Sequence, residues 1–115
     1  MNQPQRLGSV VQIRPECIDE YCRLHADTWP EVLAQNSDSN LRNYSIFLRK
    51  LPDGKNYLFS YVEYWGQDFE ADMKRMSENE TVIKWWDICK PMHIPFEDRE
   101  EGEWWAGMKS VFFQE

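Results

Sequence analysis

The order of hydrophobic patterns along the 115 residues predicts an α+β fold of β-α-β-β-α-β order. Three observations carry this expectation. Three segments alternate with a period of two, as strands do. Between and after them, apolar residues recur at helical spacing. Both faces of the strands are apolar or aromatic, where an antiparallel sheet with one wet face alternates cleanly between apolar and polar.

Residues 1–5 read as a flexible tail and residues 6–115 as a single domain. Arg6–Arg14 is the first strand, with Leu7, Val11 and Ile13 on one face and Gly8, Val10 and Gln12 on the other. Pro15 ends it and can open the helix that follows. On a wheel of roughly 100° per residue, Cys17, Ile18, Tyr21, Cys22, Leu24, Trp29, Val32 and Leu33 of Glu16–Gln35 crowd into one half. Asp19, Glu20, Arg23, Asp27 and Glu31 take the other half, and His25 falls within the apolar arc. Pro30 has no N–H to donate to Ala26, so the helix should kink or break there.

Asn36–Asn40 is a polar turn cluster, followed by a strand over Leu41–Arg49 with Tyr44, Ile46 and Leu48 on one face. Pro52-Asp53-Gly54 marks a tight reversal, which makes the next strand, Asn56–Tyr64, antiparallel to it. Phe69, Met73 and Met76 put an apolar edge on a helix over Asp68–Met76. Ser77-Glu78-Asn79-Glu80 fits a capping box, opening a helix that carries Val82, Trp85, Trp86 and Cys89. Pro91 and Pro95 bound its end, Phe96–Glu103 is acidic and irregular, and Trp104–Gln114 reads as a last strand. This is the ferredoxin-like, split βαβ order. Its helices cover one sheet face only, so the second apolar face predicts a homodimer closed into a barrel.

Composition narrows the function. A net charge of −7 argues against a nucleic-acid surface. No apolar run approaches the roughly 18 residues of a membrane span, and the first residues, MNQPQR, lack the apolar core of a signal peptide. Cys17, Cys22 and Cys89 have no metal-ligand spacing and cannot all pair, which points to a reducing, cytoplasmic setting. No phosphate loop, dinucleotide fingerprint or nucleophile elbow is present, so no metal and no cofactor is expected.

The chemistry-bearing residues each have two readings. His25, one turn from Tyr21 and one turn from Trp29, is a satisfied core imidazole or a base facing a ligand pocket. Trp85 and Trp86 point about 100° apart on a helix, so one can pack in the core while the other borders a cavity. Tyr44 is a strand tyrosine or a hydroxyl donor to a ligand. Glu63 is a candidate buried acid with a raised pKa, or the partner of a charge or of a dimer interface. His93, between two prolines, reads as a loop residue.

The runs Val10–Leu33, Asn43–Leu48, Asn56–Glu63, Lys84-Trp85-Trp86 and Met108–Phe113 together resemble the L-rhamnose mutarotase family. The resemblance implies a dimeric α+β barrel that interconverts the anomers of a 6-deoxyhexose without a cofactor. It implies His25 as the acid–base catalyst and Tyr21, Tyr44, Trp85 and Trp86 as contacts to the monosaccharide. The stretch Pro91–Trp105 departs from the family pattern, being longer and more acidic. Alternatives on the same barrel are a mutarotase acting mainly on L-fucose, a cofactor-free or haem-type monooxygenase, and a sugar-binding module without catalysis.

Overall fold

The computed structural model describes residues 3–115; of the expected tail, Met1 and Asn2 lie outside the described residues. The elements are β1 (Gln5–Ile13), α1 (Ile18–Ala26), α2 (Pro30–Asp38), β2 (Leu41–Lys50), β3 (Asn56–Tyr64), α3 (Phe69–Ser77), α4 (Glu80–Cys89), β4 (His93–Ile94) and β5 (Ala106–Met108). Short 3₁₀ turns at Pro15–Cys17 and Lys90–Met92 lead into α1 and β4.

Pro30 breaks the long amphipathic segment into two helices, as its missing N–H requires. It becomes the first residue of α2, where that N–H would have no partner anyway. The polar cluster after it is mostly helical, because α2 runs on to Asp38. The chain then turns at Asn40, whose positive φ of 66° suits an asparagine.

The box at residues 77–80 is a correction. Ser77 ends α3 with its hydroxyl bonded back to the Lys74 carbonyl at 2.6 Å. The cap of α4 is Asn79, whose side-chain oxygen accepts from the N–H groups of Thr81 and Val82, both at 3.0 Å.

All pairings are antiparallel, and the sheet order is β2-β3-β1-β4, with β5 also on β1. β4 and β5 thus share the fourth-strand position, β4 against Gln12 and Ile13, β5 against Gly8–Val10. Residues 95–105 leave the sheet between them. The expected last strand over Trp104–Gln114 is therefore reduced to three paired residues. Edge pairing is set by this excursion, which local alternation does not encode.

Register decides which side chains meet the helices. Leu7, Ser9, Val11 and Ile13 of β1 oppose Val62, Ser60, Leu58 and Asn56 of β3, and the apolar ones face α1–α4. The core joins Val11, Ile13 and Leu58 to Tyr21, Val32, Trp85 and Cys89, with a second cluster of Leu41, Tyr64, Met76 and Val82. Val10, Tyr57, Phe59, Tyr61 and Phe47 lie on the other sheet face, where Phe47 is 64% exposed.

Candidate active site

β2 carries a bulge: Arg42 pairs with Glu63 and Ser45 with Tyr61, so Asn43 and Tyr44 together oppose Val62. Asn43 absorbs the extra residue at φ 52°. The extra residue flips the parity of the strand, so Leu41 and Tyr44 both turn toward the helices. Between this strand, β1 and helices α1, α2 and α4 lies a cavity of about 630 Å³, within the range of about 300–1,000 Å³ usual for small-molecule sites.

Tyr21, His25, Tyr44, Trp85 and Trp86, the five candidate site residues, all line this cavity. α1 places Tyr21 and His25 one turn apart, and their rings stack at 4.1 Å with 24° between planes. The Tyr21 carbonyl lies 2.9 Å from His25 Nδ1 and has only lone pairs to offer, so Nδ1–H is the donor. His25 Nε2 is then the unprotonated nitrogen. Half-burial of the ring lowers its pKa, with the Tyr21 carbonyl pulling weakly the other way. The imidazole is therefore a neutral base at neutral pH.

Trp85 meets the His25 ring edge-on at 5.1 Å and the Trp29 ring edge-on at 5.1 Å, which fixes the imidazole from the α4 side. It is 6% exposed and belongs to the core as well as to the cavity wall. Trp86, half-buried, spans both core clusters and lies under the Lys90 ammonium at 5.0 Å. Tyr44 is 48% exposed overall, yet burial of its hydroxyl raises its pKa, with the nearby Cys89 thiol adding to the shift. Cys89 sits in the same wall, its thiol pushed up to about 11 by burial. All three cysteines are free.

Of the two readings of Glu63 the buried acid is excluded, and the loop reading of His93 is corrected. Glu63 is not a buried acid in the cavity. It lies on the opposite sheet face and accepts from Tyr61 Oη, Asn43 Nδ2 and Trp65 Nε1 at 2.7, 2.9 and 2.9 Å. Those bonds, Tyr61's first, hold its carboxyl below the ordinary range rather than above it. His93 is no loop residue. β4 pairs it with Ile13, so its ring points to the helix side and is 5% exposed in the cavity wall. Its Nε2 lies 3.0 Å from Tyr21 Oη, and its Nδ1 receives Trp104 Nε1–H at 3.0 Å. Burial, then the neighbouring His25 and Lys90, pull its pKa down to about 4.

Trp104 and Trp105 also line the cavity, and sequence reading missed them by assigning both to a strand. They come from the end of the 95–105 excursion, which ties itself together. Arg99 donates to the carbonyls of Glu103 and Phe96, both at 2.8 Å, and its guanidinium stacks over Trp104. The available signal was the second histidine of the chain bracketed by prolines and followed by a tryptophan pair. Among the described residues, no group of three or more His, Cys, Asp or Glu could hold a metal ion, and no helix is long and apolar enough to cross a membrane.

An imidazole with a free nitrogen, in a hollow lined also by two tyrosines and walled by indoles, suits proton exchange on a small polar ring. The match of this chain to a family of carbohydrate isomerases, of the anomer-interconverting kind, agrees with that chemistry. Residues 6–114 match the L-rhamnose mutarotase family, and the chain belongs to that family. It is similar to the L-rhamnose mutarotase of Oceanobacillus iheyensis, with 35% identity over 76% of this chain and 79% of the relative. That of Klebsiella pneumoniae is 32% identical over 94% of this chain and 96% of the relative. The fold matches the crystal structure of L-rhamnose mutarotase from Formosa agariphila with a TM-score of 0.70 at 24% identity, covering 96% of this chain and 99% of that one.

Proposed function

We propose that the protein interconverts the α and β anomers of L-rhamnose, with His25 as the acid–base catalyst. The observation that carries this is the unprotonated Nε2 of His25 inside a 630 Å³ aromatic hollow. Nε2 takes the proton of the anomeric hydroxyl. The C1–O1 bond becomes a carbonyl as the C1–ring-oxygen bond breaks, and its electron pair goes to the ring oxygen. The imidazolium returns the proton to that oxygen. Rotation about C1–C2 and the reverse steps close the ring with the opposite configuration. Every atom is accounted for by one imidazole and the sugar. Tyr21 and Tyr44 hold sugar hydroxyls, and Trp85 and Trp86 present flat apolar surface to the C–H face and the C6 methyl.

The same reading extends to a homodimer and a cytoplasmic setting. Exposed Phe47, paired with Phe59 on the sheet face away from the helices, supports a second copy packing there. Three free thiols support a reducing compartment. The test is anomer exchange by NMR with L-rhamnose and L-fucose on wild type and His25→Ala. Faster exchange of L-rhamnose, lost in His25→Ala, is expected. No acceleration of either sugar overturns the activity, and acceleration of L-fucose alone overturns the sugar. A sedimentation mass of one 13.9 kDa chain overturns the dimer.

A further inference from the structure

The chain Trp104–His93–Tyr21 has only one arrangement of protons. An indole N–H donates and cannot accept, so His93 Nδ1, 3.0 Å from Trp104 Nε1, must be a bare acceptor. The neutral ring then carries its hydrogen on Nε2, which faces Tyr21 Oη at 3.0 Å. Nε2–H donates there, and the hydroxyl oxygen of Tyr21 accepts. The hydroxyl hydrogen of Tyr21 is left pointing elsewhere, and Tyr21 lines the sugar-sized cavity.

We infer that His93, pinned by Trp104, is a positioning residue that obliges the Tyr21 hydroxyl to act as a hydrogen-bond donor to a sugar oxygen. The inference rests on the mutarotase reading of the same cavity. With its Nδ1 unpinned, an imidazole can carry its hydrogen on Nδ1 instead and accept from the Tyr21 hydroxyl through Nε2. Trp104 removes that choice. It also ties the orientation of a helix residue to the excursion 95–105.

Several groups hold the ring in this state. Ile13 opposes it across the β1–β4 pair, and the Tyr21 and Trp105 rings meet it edge-on at 5.2 and 5.3 Å. The charged or titratable groups around it are Lys90, His25 and Tyr21, with Arg14 and Asp87 in the smaller hollow that His93 also lines, and a second positive charge beside Lys90 is unfavourable. Protonation of Nδ1 would also set two donors against each other at Trp104. His93 is thus neutral wherever the enzyme works, and it moves no proton itself.

Two measurements test this. The first needs no activity: ¹⁵N NMR of the His93 ring in the labelled protein. A single Nε2–H tautomer unchanged from about pH 8 to about pH 5 is expected. In Trp104→Phe the ring should lose this single-tautomer pattern. An Nδ1–H tautomer in wild type, or titration near the ordinary 6.5, overturns the inference.

The second is anomer exchange in His93→Leu, His93→Gln and Trp104→Phe. Leucine offers no donor and should cost about tenfold in rate, the worth of one hydrogen bond. Glutamine can accept from Trp104 and donate to Tyr21, so it should recover most of that loss. Equal losses in leucine and glutamine variants, or none in either, overturn the role. If His93→Leu does not fold, Trp104→Phe against wild type decides, with a fall of at least a few-fold expected and an unchanged rate contrary. Wild type without any acceleration would instead sink the mutarotase reading, leaving the tautomer result to stand by itself.

Discussion

The Nδ1–H of His25 donates to the carbonyl of Tyr21, 2.9 Å away and one helical turn earlier. That carbonyl is held in place by α1, and the bond to it fixes the tautomer of the imidazole. One residue of α1 thus holds the imidazole's orientation with its backbone and lines the cavity with its side chain.

His25→Ala should slow anomer exchange by about 10²–10⁴-fold, the usual contribution of a positioned acid–base group. The pH dependence follows from the lowered pKa. The base works while unprotonated, so the rate should hold level through neutral pH and fall on acidification at a midpoint below the ordinary value of about 6.5. A rate–pH profile measured by NMR checks this, and an acid limb centred above that value is contrary to it.

The adjacent tryptophans should separate in their effects. Trp85 anchors Trp29 and His25 from the core, so Trp85→Ala should cost roughly 3–5 kcal/mol of stability along with activity. Trp86 is only half-buried, and Trp86→Ala should raise KM about tenfold with a far smaller change in melting temperature. Denaturant unfolding and saturation kinetics on both variants distinguish the two.

What could be read from the residues follows a physical division. The period of the strands and the break at Pro30 depend on near neighbours, and so both were legible. Helix geometry made the shared face of Tyr21 and His25 legible, whereas their meeting Trp85 and Trp86 at one cavity was implied only by the family resemblance. His93 was not legible, because its burial depends on pairing with Ile13, 80 positions earlier in the chain. The failed cap at Ser77 shows a similar limit. Its hydroxyl had two backbone partners to choose from, and it took the carbonyl of the helix behind it.

Acid should loosen the protein partly through Asp72. Its carboxylate accepts from Tyr64 Oη at 2.5 Å, from Asn40 Nδ2 at 2.9 Å and pairs with Arg75 at 3.0 Å. These bonds, Tyr64's first, hold its pKa below the usual range. A carboxyl depressed in the folded state stabilises above its unfolded value, about 3.9, and that contribution is lost as pH falls through the folded value. Melting temperature should therefore fall on going from about pH 6 to about pH 3, and Tyr64→Phe should flatten part of the fall. Parallel curves for wild type and variant would show that this bond plays no part.

The bulge at Asn43 offers a test of how backbone geometry aims Tyr44. Asparagine tolerates φ 52°, glycine adopts it freely, and a β-branched residue is forced to strain there. Asn43→Val should cost about 1–3 kcal/mol, and relief of that strain by a one-residue slip would turn Tyr44 to the far face of the sheet. Asn43→Gly keeps the conformation and loses only the bond to the Glu63 carboxylate on that far face. Anomer exchange should therefore fall in the valine variant and persist in the glycine variant, with Tyr44→Phe setting the scale of the loss. Equal activity in valine and glycine variants would mean that the bulge does not serve the site.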